Sequence, residues 1–171
     1  MTAQASPLTN PLPVAERELV VTRMFNAPRD LVFKLWTDPK HAMHWWGPTH
    51  HPAIEMHMDP RVGGKWRNCL KSVEDGVEIW QHGVFREVVP PSKLMFTFTW
   101  EQNRFLEHPT LETLVSVTFE DRGGKTLMTL RQSPFHAIGD RDGHGEGWNS
   151  TFDRLGDYLA TQSPHEMSGV K

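Results

Sequence analysis

The stretch His41–His51, HAMHWWGPTHH, carries four of the chain's ten histidines beside two adjacent tryptophans. Histidine is the commonest zinc ligand and the side chain that titrates nearest neutral pH, so a metal site or acid-base chemistry is the first thing to test. His41 and His44 are three residues apart and would share one side of a helix, and His50, His51 or His57 would have to complete a site. The spacing lacks the glutamate of a zincin, and no cysteine or carboxylate sits at a familiar ligand interval. The histidines therefore read as solvated or packing groups, and no metal is expected. Trp45 and Trp46, about 100° apart if both are helical, are expected to face different partners, one under the helix and the other at its junction with the sheet, at the mouth of any cavity there.

Other reactive residues stand alone. Cys69 is the only cysteine, has no adjacent base, and reads as a structural thiol. GGKT at 123–126 ends like a phosphate-binding loop, but Phe119 occupies the position of the required first glycine, so it reads as a turn. No cofactor is expected. Glu78, Glu87 and Glu146 are too scattered for a carboxylate pair. His82 is the remaining candidate acid or base, in a strand where Gly83 leaves the alternation open.

Composition narrows the rest. A chain of 171 residues makes one domain the prior. Eighteen basic against twenty-one acidic residues, with no basic tract, exclude electrostatic recruitment of nucleic acid. No segment is apolar for long enough to span a membrane, and the lone cysteine suits a reducing compartment, so a cytoplasmic protein is expected. Seven tryptophans and nine phenylalanines must carry much of the core. Residues 1–16 read as a disordered leader, 17–162 as the domain and 163–171 as a flexible tail.

The elements that would position these residues follow from periodicity. ELVVTRMF reads as a first strand, and two short helices follow, broken at Asp38-Pro39 and ended by Gly47-Pro48. Six further strands are expected at Ala53–Met58, Lys65–Ser72, Glu78–Val89, Leu94–Trp100, Glu112–Phe119 and Thr126–Gln132, separated by turns too short for crossovers, hence antiparallel. A helix at Gly145–Ala160 carries Trp148, Phe152, Leu155 and Leu159 on one stripe, with Gly156 inside it as a possible point of close approach. One amphipathic helix cannot cover both faces of such a sheet, so the sheet should curl around it.

The motifs FNAPRDLVFKLWTDP, HWWGP, GGKW, GVFREVVPPSKLMFTFTW, GGKTLMTL and GEGWNSTFDRLGDYL, in that order, resemble the activator of heat-shock protein 90 ATPase homologue (Aha-type) group of the START-like/SRPBCC superfamily. The resemblance implies an α+β helix-grip fold, Bet v-like, with a cavity between the C-terminal helix and the concave sheet face. It implies binding of a small hydrophobic ligand without catalysis. Its alternatives are a cyclase- or hydrolase-type enzyme in the same cavity, or a chaperone-associated domain docking through the outer sheet face or the Trp45–Trp46 corner, with self-association as a further partner. Alternation and the implied cavity together nominate Trp46, Trp66, Asn68, Trp80, His82, Phe96, Phe98, Trp100, Met128, Gln132, Trp148 and Phe152 as ligand-facing, with Asn68 and Gln132 orienting a polar group.

Overall fold

The structure is a computed structural model that describes residues 13–101 and 112–162. Residues 1–12 of the expected leader, the RFLEHPT turn and the expected tail lie outside the described residues. The leader's last residues are placed: Val14–Glu16 form a 3-10 turn, and the Glu16 carbonyl accepts from Arg141 at 3.0 Å.

Strand β1 (Leu19–Phe25) leads into helices α1 (Arg29–Thr37) and α2 (Pro39–Trp45), then six strands follow in a meander: β2 (Ala53–Met58), β3 (Lys65–Lys71), β4 (Glu78–Val89), β5 (Lys93–Trp100), β6 (Thr113–Arg122) and β7 (Lys125–Ser133). Helix α3 (Ile138–Ala160) closes the chain. The sheet order is β1-β7-β6-β5-β4-β3-β2, antiparallel throughout, with β1 returning to the far edge beside β7. This is the expected curved seven-stranded sheet around a long C-terminal helix.

Local chemistry explains the boundaries. Pro28 precedes α1, where a missing N–H costs nothing, and Leu31, Val32, Leu35 and Trp36 are buried. Asp38 caps α2 by accepting from the Lys40 backbone at 2.9 Å, with Pro39 in the first turn. Helix α3 buries Trp148, Thr151, Phe152, Leu155 and Leu159 against the sheet and begins seven residues earlier than Gly145. Gly139, Gly143 and the acidic residues Asp140 and Asp142 hid that beginning, because all are weak helix formers. At Gly156 an added Cβ would meet Phe25 at 3.7 Å, an ordinary contact, so no close approach explains that glycine.

The centre of the molecule is a cluster of rings. Trp36 of α1 lies within 4.9 to 6.3 Å, centroid to centroid, of Trp45, Trp46, Phe96, Phe119, Trp148 and Phe152. Both neighbouring tryptophans thus face one partner, contrary to the expectation from helical geometry. The reason is that α2 ends at Trp45, and Trp46 turns away with extended dihedrals, φ −68° and ψ 141°.

Candidate ligand-binding site

Beside this ring cluster the hollow stays open. A cavity of about 320 Å³ lies between β3, β4 and β5 on one side and the N-terminal half of α3 on the other, with the α2–β2 connection across one end. Leu70, Ile79, Phe98, Trp100, Trp46 and Trp148 give it an apolar wall, and Gln81, His51, Asp140, His144 and Thr151 add polar groups.

On the α3 side, side chains are left out at three positions among Asp140, His144, Trp148 and Thr151, and the exposed Gly139 and Gly143 open the cavity outward. Gly139, Gly143 and Gly147 recur every four residues along α3 and all line the cavity, and a Cβ at any of them would meet nothing within 4 Å. Each glycine costs about 1 kcal/mol of helix propensity relative to alanine. Three in a row on one face keep space that alanine or leucine would fill.

The α2–β2 connection is fixed in place from below. The Arg154 guanidinium of α3 donates to the carbonyls of Gly47 at 2.7 Å, Trp46 at 2.9 Å and His44 at 3.1 Å. These are acceptors that the end of α2 leaves without intrahelical partners. Gly47 is at φ +91°, and a Cβ there would run into the His51 carbonyl, so the turn requires glycine. Trp46 is thereby held in the wall, its indole N–H donating to Gln81 Oε1 at 3.2 Å.

His144 is the histidine of α3 that reaches the cavity. Its Nδ1 is 2.7 Å from the Asp140 carbonyl, which can only accept, so Nδ1 carries the proton. Nε2 must then accept the Trp100 indole N–H, at 2.9 Å. Burial pushes its pKa below the ordinary histidine value, opposed by the hydrogen bond to the Asp140 backbone and the Asp140 charge. A neutral imidazole with both nitrogens engaged is a poor proton shuttle, and it braces Trp100 at the rim.

The structure separates the nominated residues. Trp46, Phe98, Trp100 and Trp148 line the cavity. Trp66 and Phe96 instead border, with Trp36, Trp46, Met58, Phe85 and Leu94, a void of about 10 Å³, no larger than one water needs. Met128 and Phe152 are buried in the packed core. Gln132 is spent internally, accepting from Trp148 Nε1 at 2.8 Å and donating to Thr113 Oγ1 at 2.9 Å. Asn68 is buried on the inner face but outside the cavity wall, with Oδ1 unpartnered among the described residues.

Trp80 and His82 point the other way. The inner set of β4 is Ile79, Gln81, Gly83 and Phe85, all buried, so Trp80 and His82 fall on the outer face. There Arg67 stacks over Trp80 at 3.9 Å and pairs with both oxygens of Glu101 at 2.7 and 2.8 Å, while His82 Nδ1 lies 3.1 Å from Glu101. Gly83 makes no reversal of alternation. It lets the Trp66 indole cross β4 and donate to the Thr97 carbonyl of β5 at 3.0 Å, where a Cβ would collide with both partners.

Of the remaining histidines, His41 and His44 pack against Tyr158, and His50, His57 and His136 are exposed. His41 Nδ1 is 2.7 Å from the Tyr158 hydroxyl and His44 stacks on the Tyr158 ring at 5.1 Å, so the pair joins α2 to α3. Among the described residues no three His, Cys, Asp or Glu side chains gather as a metal site. The Cys69 thiol is raised to about 11, first by burial and then by the Glu78 carboxylate, so almost no thiolate exists at neutral pH. Among the described residues no helix is long and apolar enough to cross a membrane.

Sequence reasoning passed over several wall residues, among them Leu70, Ile79, Gln81, His144 and Thr151, and Gln81 is the one it came nearest to finding. The signal was present, since Ile79 and Phe85 flank it at even spacing, but the large Trp80 and the titratable His82 drew the reading to the wrong face.

The fold has many counterparts. The AHSA1 protein of Silicibacter pomeroyi superposes with a TM-score of 0.75 at 23% identity, covering 85% of this chain and 99% of that one. A Nitrosomonas europaea protein gives 0.71 at 23% identity, covering 85% and 96%. A Chromobacterium violaceum protein gives 0.74 at 18%, covering 82% and 95%. At such identities the likeness speaks for the fold. No curated protein matches the sequence. The family model described as "Activator of Hsp90 ATPase homolog 1-like protein" matches residues 26–160, from the end of β1 to the last residue of α3, and the chain belongs to that family.

Proposed function

We propose that the chain binds a small, flat, largely apolar molecule in the cavity between α3 and β3–β5, in the cytoplasm, and performs no chemistry on it. The observation that carries this reading is the Gly139-Gly143-Gly147 stripe, which leaves open space facing Phe98 and Trp100 of β5 at a cost in helix stability. A volume of about 320 Å³ lies at the lower end of the range for small-molecule sites. The polar groups support binding over turnover: His144 holds its proton on the Asp140 carbonyl, and the Thr151 hydroxyl donates to the Gly147 carbonyl at 2.8 Å.

A chaperone docking through the Trp45–Trp46 corner finds no exposed indole there, since the two rings are 0% and 4% exposed.

The test is thermal unfolding with 2-acetylnaphthalene as an apolar probe. A ligand that binds the native state raises Tm in proportion to the logarithm of its concentration. The wild type should show this rise. Gly143→Leu, whose side chain enters the cavity, should lose it while its own Tm without probe stays equal or climbs. An unresponsive wild type, or a variant that responds as the wild type does, would overturn the reading.

A further inference from the structure

Trp46 fixes the chemistry of one side chain in the cavity. An indole N–H can only donate, so the atom of Gln81 that lies 3.2 Å from Trp46 Nε1 is the carboxamide oxygen, and the amino group is turned elsewhere. Gln81 is 4% exposed, belongs to the cavity wall, and among the described residues its amino group donates no hydrogen bond. Unlike Asn68 Oδ1, this nitrogen is not sealed off, and it keeps access to the open space of the cavity. Such a group lowers affinity for anything that cannot accept from it and favours anything that can.

Its surroundings do not use that donor. Gln81 stands opposite Asn68 of β3 and opposite Trp100 of β5. Asn68 Oδ1 is itself buried and unpartnered, so the two carboxamides do not satisfy each other. The Trp100 indole has no acceptor atom, His144 Nε2 already accepts from Trp100, and the Thr151 hydroxyl, which donates to Gly147, takes no hydrogen bond from Gln81. Leu70 and Ile79, the nearest wall residues on β3 and β4, offer no acceptor.

We infer that Gln81 is the specificity-determining residue of this site, and that its ligand is a carbonyl compound with a flat apolar body. The carbonyl oxygen accepts from Gln81 Nε2, and the body lies between Phe98 and Trp100 on one side and the glycine stripe on the other. This inference rests on the cavity reading above and adds to it the chemistry at one end of the ligand. Binding transfers no proton and forms no covalent bond.

The test compares 2-acetylnaphthalene with 2-isopropenylnaphthalene, which replaces the carbonyl oxygen by a CH2 of similar shape, by calorimetric titration of the whole chain. The readout is the ratio of the two affinities in wild type and variant, because the different hydration of the free ligands then cancels. Gln81→Met, close in shape but with no donor, should lower the ketone-to-alkene ratio about fivefold to tenfold. Gln81→Glu at pH 8 keeps an acceptor for Trp46 and should lower it at least as much. In the wild type, the Gln81 side-chain amide resonances should shift with the ketone and stay in place with the alkene, a readout that needs no variant. An unchanged ratio in both variants, as expected if Gln81 merely turns toward Asn68, overturns the inference and leaves the cavity reading standing. Failure of both ligands to bind wild type overturns both.

Discussion

At the scale of single residues, the polar groups inside this molecule are fixed by donors that can only donate and acceptors that can only accept. The Asp140 carbonyl forces the proton of His144 onto Nδ1, and the Trp100 indole then needs Nε2 bare. Protonating His144 breaks the second bond and charges a buried ring. Its folded pKa lies below the unfolded value of about 6.5, so the unfolded chain takes up the proton first as pH falls. The contribution is therefore intact above about pH 6.5 and is lost as pH drops below it. His144→Phe should show a shallower loss of denaturant midpoint between pH 7.5 and 5 than the wild type. Parallel profiles would contradict the assignment. Sequence could not show this histidine's role, because Asp140, Trp100 and His144 meet only after α3 folds over β5. Cys69, read from sequence as a structural thiol, is fully buried, and burial raises its thiol pKa. Where sequence reading failed, at Trp80 and His82, one more step of strict alternation from Ile79 to Phe85 would have chosen Gln81 instead.

At the scale of elements, α3 does three jobs along its length. Its first turns expose glycine to the cavity, its last turns bury Phe152, Leu155 and Leu159, and on another side of those last turns Arg154 secures the end of α2. Removing the guanidinium would leave several carbonyls of the α2–β2 connection without their charged donor, and hydrogen bonds to charged groups are worth about 1.5 to 3 kcal/mol. Arg154→Ala should therefore cost about 2 kcal/mol in chemical denaturation. Arg154→Lys should recover only part of it, since an ammonium cannot span the spread of carbonyls that the planar fork reaches. A loss below about 0.5 kcal/mol for the alanine variant would show that the clamp is incidental. Most strands were legible to within a residue, helped by the alternation of β4 and by Gly, Pro and Asp turns, whereas β6 runs to Arg122, three residues past the expected Phe119. The first two turns of α3 were not legible, because glycines chosen for space look like glycines of a loop. Trp46 was misplaced for a related reason: only the actual end of α2 at Trp45 says that helical angles stop applying.

At the scale of the whole molecule, the hollow of the sheet is divided. Trp36, Phe96, Phe119 and Phe152 fill one part to the density of a core, while the part beside β3–β5 keeps about 320 Å³. Sequence could nominate the rings that face inward but not which of them fill space and which border it, since that depends on how α1 and α2 deliver Trp36, Trp45 and Trp46. The central claim is that the open part receives an apolar ligand, and nuclear magnetic resonance of the tryptophan indole N–H groups tests it most directly. On titration with 2-acetylnaphthalene the resonances of Trp46, Trp100 and Trp148 should move together and saturate, while that of Trp80, on the outer face, stays fixed. Saturable movement of Trp80 without the other three, or no movement of those three, would contradict the account.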